Sequence, residues 1–124
     1  MSKLLLACVL LASLLLAPSA WGQQAALCPG LADRALSTAG GAQFNLTVAD
    51  TALTLTVPAR ASVAIIGVRT ASIRYTDDGT TPTTTNGIQV DAAQTITVCS
   101  GSLGQFRMIR QGAASAIVNI LYYQ

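Results

Sequence analysis

From Gly41 onward the chain is a succession of short runs in which apolar and polar residues alternate, each closed by Gly, Pro, Asp or Ser. A period of two sends successive side chains to opposite faces of a strand, so each run predicts a strand with one dry face. Phe44 to Val48 alternates, and Ala49-Asp50-Thr51 breaks it. Leu53 to Val57 alternates strictly, and Pro58-Ala59-Arg60 turns the chain. Val63 to Val68 is apolar on both faces, as expected of a strand in the middle of a sandwich. Ser72 to Thr76 alternates again, with Ile73 and Tyr75 on one side, and leads into a polar tract from Asp77 to Gly87. Ile88 to Val90 and Thr95 to Cys99 are short strands, and Ser100-Gly101-Ser102 is a turn. Phe106 to Ile109 and Ala116 to Tyr123 complete the set. Seven or eight strands at spacings of about ten residues predict an all-β fold. The expectation is a single small antiparallel β-sandwich over residues 42–124, immunoglobulin-like or jelly-roll-like.

The segment before Gly41 has a different character. Met1-Ser2-Lys3 carries one positive charge, and Leu4 to Ala17 is then unbroken in its apolarity. A run of about fourteen residues matches the apolar region of a secretory signal and falls short of the roughly twenty that span a bilayer. Pro18 ends it, and Ala20 and Gly22 supply small residues at the −3 and −1 positions. Residues 1–22 therefore predict a signal peptide forming an N-terminal signal helix, cleaved before Gln23. If it stays uncleaved it becomes a membrane anchor. Residues 23–41 predict an N-terminal arm with a short helix, because Leu31, Ala32, Ala35 and Leu36 in Pro29 to Ser37 form one apolar stripe. Export places the protein in the periplasm, on the cell surface or outside the cell.

Cleavage removes Cys8 and leaves Cys28 and Cys99. A pair of cysteines in an oxidising compartment predicts a disulfide, with two free buried thiols as the alternative. Closing a loop of about seventy residues would stabilise the fold by roughly 4 kcal/mol.

The remaining chemistry is sparse. The chain has no His and no Glu, and its only Lys is Lys3, inside the signal. The commonest general bases and the Schiff-base amine are missing, so a Ser-His-Asp triad cannot be built and no enzyme is expected. Two cysteines without histidine cannot complete a zinc shell, and no cofactor is expected. Asp77, Asp78 and Asp91 lack the spacing of a calcium loop. Six arginines face five aspartates in the mature chain, a net charge near +1 that gives no footing for nucleic acid or an anionic membrane. Asp77-Asp78-Gly79 followed by Pro82 predicts a turn, with Asp side chains bonding nearby backbone N–H groups and Gly79 at positive φ. Asn45-Leu46-Thr47 matches a glycosylation sequon on an otherwise ordinary strand. The last strand, Ile117 to Tyr123, is so apolar that it must be buried on both faces or cover a partner. Of Tyr122 and Tyr123, one is expected in the core and the other at solvent or an interface, which points to self-association or a protein partner. No tryptophan survives cleavage, which weakens a carbohydrate-stacking role.

The tract Ile73 to Thr83 (IRYTDDGTTPT) resembles a pattern in small β-sandwich proteins of tailed phages, described as virion structural or hypothetical proteins. There an alternating strand leads into Arg-Tyr-x-Asp-Asp-Gly-Thr-x-Pro-Thr, a Gly and an apolar strand. A Leu and Phe-x-x-Ile segment and a final strand ending Tyr-Tyr follow. Here these are Ser72 to Pro82, Gly87, Ile88 to Val90, Leu103 to Ile109 and Ala116 to Tyr123, and the likeness covers Leu53 to Tyr123. Tyr75 to Thr83 is also similar to a motif in the immunoglobulin-like C-terminal domain of chitobiases and related hexosaminidases. Both resemblances imply a sandwich in which the motif is a strand end and a stiffened turn, not a catalytic site. The first implies a non-enzymatic decoration or fibre-associated virion protein. The second implies an exported bacterial periplasmic or surface immunoglobulin-like module, with carbohydrate binding as a role open to it. A signal peptide and a disulfide fit the second better, since virions assemble in the cytoplasm.

Overall fold

The computed structural model of the protein describes Cys28 and residues 39–124. The predicted signal peptide and nearly all of the predicted arm, including the helix at Pro29 to Ser37, lie outside the described residues.

Eight strands and one helical turn follow in order. They are β1 (Gln43–Val48), β2 (Leu53–Thr54), β3 (Val63–Val68), β4 (Ile73–Thr76), β5 (Ile88–Val90), β6 (Thr95–Cys99), α1 (Ser100–Leu103), β7 (Arg107–Arg110) and β8 (Ala116–Tyr123). They form two four-stranded sheets, ordered β1-β8-β3-β6 and β2-β7-β4-β5, in which every pairing is antiparallel. The pairing is nested: β4 with β5, β3 with β6, β2 with β7, β1 with β8. The chain is thus one long hairpin folded over on itself, and β3·β8 and β4·β7 zip the folded arms into sheets. That is the connectivity of a jelly roll. An immunoglobulin sandwich would place β1 beside β2 and group β3, β6 and β7 in the opposite sheet. Here β1 pairs only with β8, so the immunoglobulin-like alternative is set aside.

The core lies between the sheets. β8 sends Ala116, Val118, Ile120 and Tyr122 inward, against Ala64, Ile66 and Val68 of β3. Ile73, Met108 and Val90 oppose them from the other sheet, joined by Phe106 from the connection before β7. Burying one such side chain contributes roughly 1.5–3 kcal/mol, so this interleaved layer is the main support of the fold.

Four local expectations need correction. Leu53 to Val57 does alternate in burial, but only Leu53–Thr54 pairs, because β7 offers Met108 and Arg107 and no further partner. Leu55 and Val57 still pack on the core as the chain crosses between sheets. Ser100-Gly101-Ser102 is not a bare turn but the start of α1, which delivers Leu103 to the core with 2% exposure. Asn45 is not in regular strand: its φ is 56°, and the β1·β8 register slips between Gln43 and Leu46. Finally, β8 is dry on one face only; Ile117, Asn119, Leu121 and Tyr123 are half-buried. What protects this apolar strand from edge pairing is its interior place between β1 and β3.

Candidate functional site

The sandwich has two ends. One carries the connections 55–62, 77–87 and 100–106, and is called the motif end below. The other carries 49–52, 69–72, 91–94 and 111–115.

At the motif end the Asp77-Asp78-Gly79 turn splits its two carboxylates. Asp78 Oδ1 accepts from the Thr80 backbone N–H at 2.9 Å and from the Thr80 hydroxyl at 2.7 Å. These bonds, the hydroxyl first, hold the Asp78 carboxyl below the usual carboxylate range. Gly79 has φ 87°, and the Thr76 hydroxyl donates to the Thr80 carbonyl across the turn. Pro82 is fully buried under the loop. The loop closes at Gly87, with φ 109°, where a Cβ would stand 2.8 Å from the Tyr75 carbonyl oxygen. Arg74 Nη1 donates to the Gly87 carbonyl at 2.9 Å, tying the loop back to β4.

Asp77 points elsewhere. β5 pairs with β4 only as far as the Tyr75↔Ile88 pair, and beyond it Thr76 keeps β7 alone as its strand partner, at Arg107. A cleft of about 130 Å³ opens there, lined by Tyr75, Asp77, Ile96, Thr97, Val98, Cys99 and Ser102. Its walls are rigid. The Tyr75 ring stacks on the fully buried Phe106 ring, centroids 5.1 Å apart. Cys99 is disulfide-bonded to Cys28 across 71 residues, with Cα atoms 5.4 Å apart. Burial, and then the Asp77 charge, push the Tyr75 hydroxyl above its ordinary value. That phenol stays protonated at neutral pH, so it exchanges hydrogen bonds rather than acting as a base. Tyr75, Asp77, Thr97 and Ser102 form no side-chain hydrogen bond among the described residues.

The opposite end is knitted together. Asp91 Oδ1 accepts from the Ser72 hydroxyl at 2.9 Å and from Gln89 Nε2 at 2.7 Å. Gln89 Oε1 accepts from Gln111 Nε2 at 2.8 Å. The Gln89 bond and then the Ser72 bond hold the Asp91 carboxyl low. Arg69 donates to Asn45 Oδ1 at 2.8 Å, and Arg110 lies 3.8 Å from Asp50. A shallow depression of about 390 Å³ between Ser72, Gln89 and Gln111 is edged by Gly112 and Ala113.

The residues singled out from sequence thus separate. Cys28, Cys99, Asp77, Asp78, Gly79 and Pro82 gather at the motif end, whereas Asp91 sits at the other. Among the described residues no group of three or more acids or cysteines is placed to hold a metal ion. Tyr122 is 1% exposed, which removes it from the candidate interface; Tyr123 is half-buried on the outer face. Large exposed apolar side chains are instead Phe44 on β1 and Ile88 on β5. Thr97 and Ser102 carry no sequence signal, since only the fold brings them beside Tyr75 and Asp77. Searches against protein-family models, curated proteins and solved structures find no match to this chain.

Proposed function

We propose that the protein is an exported, non-enzymatic structural or interaction module, akin to the small virion proteins that decorate a phage particle or attach to its fibres. The observation that carries this is the motif end: a cleft whose Tyr75, Asp77, Thr97 and Ser102 side chains form no hydrogen bond among the described residues, built on a chain with no His and no Lys beyond Lys3. Such a cleft can bind, and among the described residues its carboxylate and hydroxyls are not hydrogen-bonded to one another as an activated base and nucleophile would be. The jelly-roll strand order adds support by analogy alone, since viral capsid domains and lectins both use it and fold does not dictate function.

A second reading, an exported bacterial surface or periplasmic module that binds carbohydrate, draws on the Cys28–Cys99 bridge, which suits an oxidising compartment. Mass spectrometry separates the two. The virion reading expects enrichment of the chain in purified particles. Recovery only from the periplasm or culture supernatant would sink it, and a positive glycan array would then favour the second. Peptide mapping of the mature N-terminus tests cleavage before Gln23 in the same samples.

A further inference from the structure

We propose that the cleft between β4 and β6 seats the basic side chain of a protein partner, a lysine ammonium or arginine guanidinium held by Asp77 and the ring of Tyr75. This rests on the interaction-module reading and names the chemistry of its partner.

Asp77 stands apart from the other described acids. Asp50 lies by Arg110, Asp78 is capped by Thr80, and Asp91 accepts two side-chain hydrogen bonds. Asp77 has no hydrogen bond or ion pair among the described residues. The groups around it, the Tyr75 phenol and the Thr97 and Ser102 hydroxyls, can all accept a hydrogen bond, and among the described residues no arginine lines the cleft. The described part of the site therefore presents a carboxylate with no cation beside it. A carboxylate beside an aromatic ring complements a cation through charge-assisted hydrogen bonding and cation–π attraction. Phe106 stacks on one face of the ring, centroids 5.1 Å apart. About 130 Å³ admits the end of one side chain. Drug-sized ligands use roughly 300–1,000 Å³.

The test titrates the purified, oxidised protein with Nα-acetyl-lysine methylamide and Nα-acetyl-arginine methylamide, following backbone amide shifts by NMR. Nα-acetyl-norleucine methylamide is the uncharged control. Saturable shifts at Asp77, Thr97 and Ser102 are expected from a basic probe and none from norleucine. In Asp77→Asn, whose side chain is exposed and whose fold is checked by its melting curve, affinity should drop about tenfold or more. No saturable shift with either basic probe, equal shifts with norleucine, or undiminished binding to Asp77→Asn would overturn the proposal. Binding of butylamine together with exclusion of both amino-acid derivatives would overturn the assignment to a protein partner. Absence of the chain from virions would sink the virion reading and leave this measurement standing.

Discussion

The two ends of the sandwich are held by different means. At the end carrying 69–72 and 91–94, side chains hold side chains: Ser72 and Gln89 on Asp91, Gln111 on Gln89, Arg69 on Asn45. All four charges there, Asp50, Arg69, Asp91 and Arg110, have partners. At the motif end the constraints are a disulfide, a buried proline, the loop glycines Gly79 and Gly87 at positive φ, and side chains bonded to nearby backbone: Asp78 to the Thr80 N–H, Thr76 to the Thr80 carbonyl and Arg74 to the Gly87 carbonyl. None of them uses the side chains of Tyr75, Asp77, Thr97 or Ser102, which form no side-chain hydrogen bond among the described residues. An end stitched by its own polar groups has little left to offer a partner, whereas an end fixed by chain geometry does.

Breaking the constraints of the motif end should cost most. Replacing both Cys28 and Cys99 by Ser should lower stability by about 4 kcal/mol, read by chemical denaturation. If the loss is under about 1 kcal/mol, the disulfide does not hold that end. Gly87→Val comes next, at about 3 kcal/mol, because it adds a 2.8 Å clash with the Tyr75 carbonyl to the strain of φ 109°. Gly79→Val should cost about 1–2 kcal/mol, since its φ of 87° is unfavourable but the nearest atom, on Gln105, is 3.9 Å away. A reversed order in the two melting temperatures would overturn this account of the loop.

Both ends should also answer to acid. The carboxyls of Asp91 and Asp78 are both held below their ordinary value, so each favours the folded state above the unfolded pKa. That contribution fades as pH falls below about 4 and through the lower folded value. Asp91→Asn should flatten the acid limb of a stability–pH curve, and an unchanged limb would deny the network its role. The smallest effect is expected inside the core. The Tyr122 hydroxyl is buried without a hydrogen-bond partner among the described residues, and burial pushes its pKa up. Tyr122→Phe should therefore leave stability unchanged or raise it by about 1 kcal/mol, measured by the same denaturation.

Much of this contrast was legible in the sequence, though unevenly. Period-two runs such as Thr95 to Cys99 and Ala116 to Tyr123 mark strands because burial on one face is a local property of the residues. The Asp-Asp-Gly turn is local too, as a short side chain bonds the backbone two residues on. Strand order is not local. Nothing in Phe44 to Val48 says that its neighbour is Ala116 to Ile120 rather than Leu53, so the choice between jelly roll and immunoglobulin fold stayed open. The cleft escaped for the same reason, because its polar groups come from positions 75, 77, 97 and 102. Gly87 shows a subtler limit. Its Gly-after-loop position was visible, but the approach of the Tyr75 carbonyl that makes glycine obligatory there was not.

The nested pairing also orders events in time. The innermost pair, β4 and β5, joins segments separated only by the 77–87 loop, while the outermost, β1 and β8, joins the two ends of the domain. Loop-closure entropy makes the inner hairpin the cheapest contact to form and the outer one the dearest. Folding is therefore expected to begin at the loop that carries the candidate site and to proceed outward, at the slow rates of folds rich in long-range contacts. β8 lies between β1 and β3, so until β8 has been synthesised β1 has no strand partner and β3 has only β6. The sheet that carries most of the core is completed by the final residues of the domain, and a nascent chain stopped short of Ala116 holds two unpaired edges where the finished protein has an interior strand.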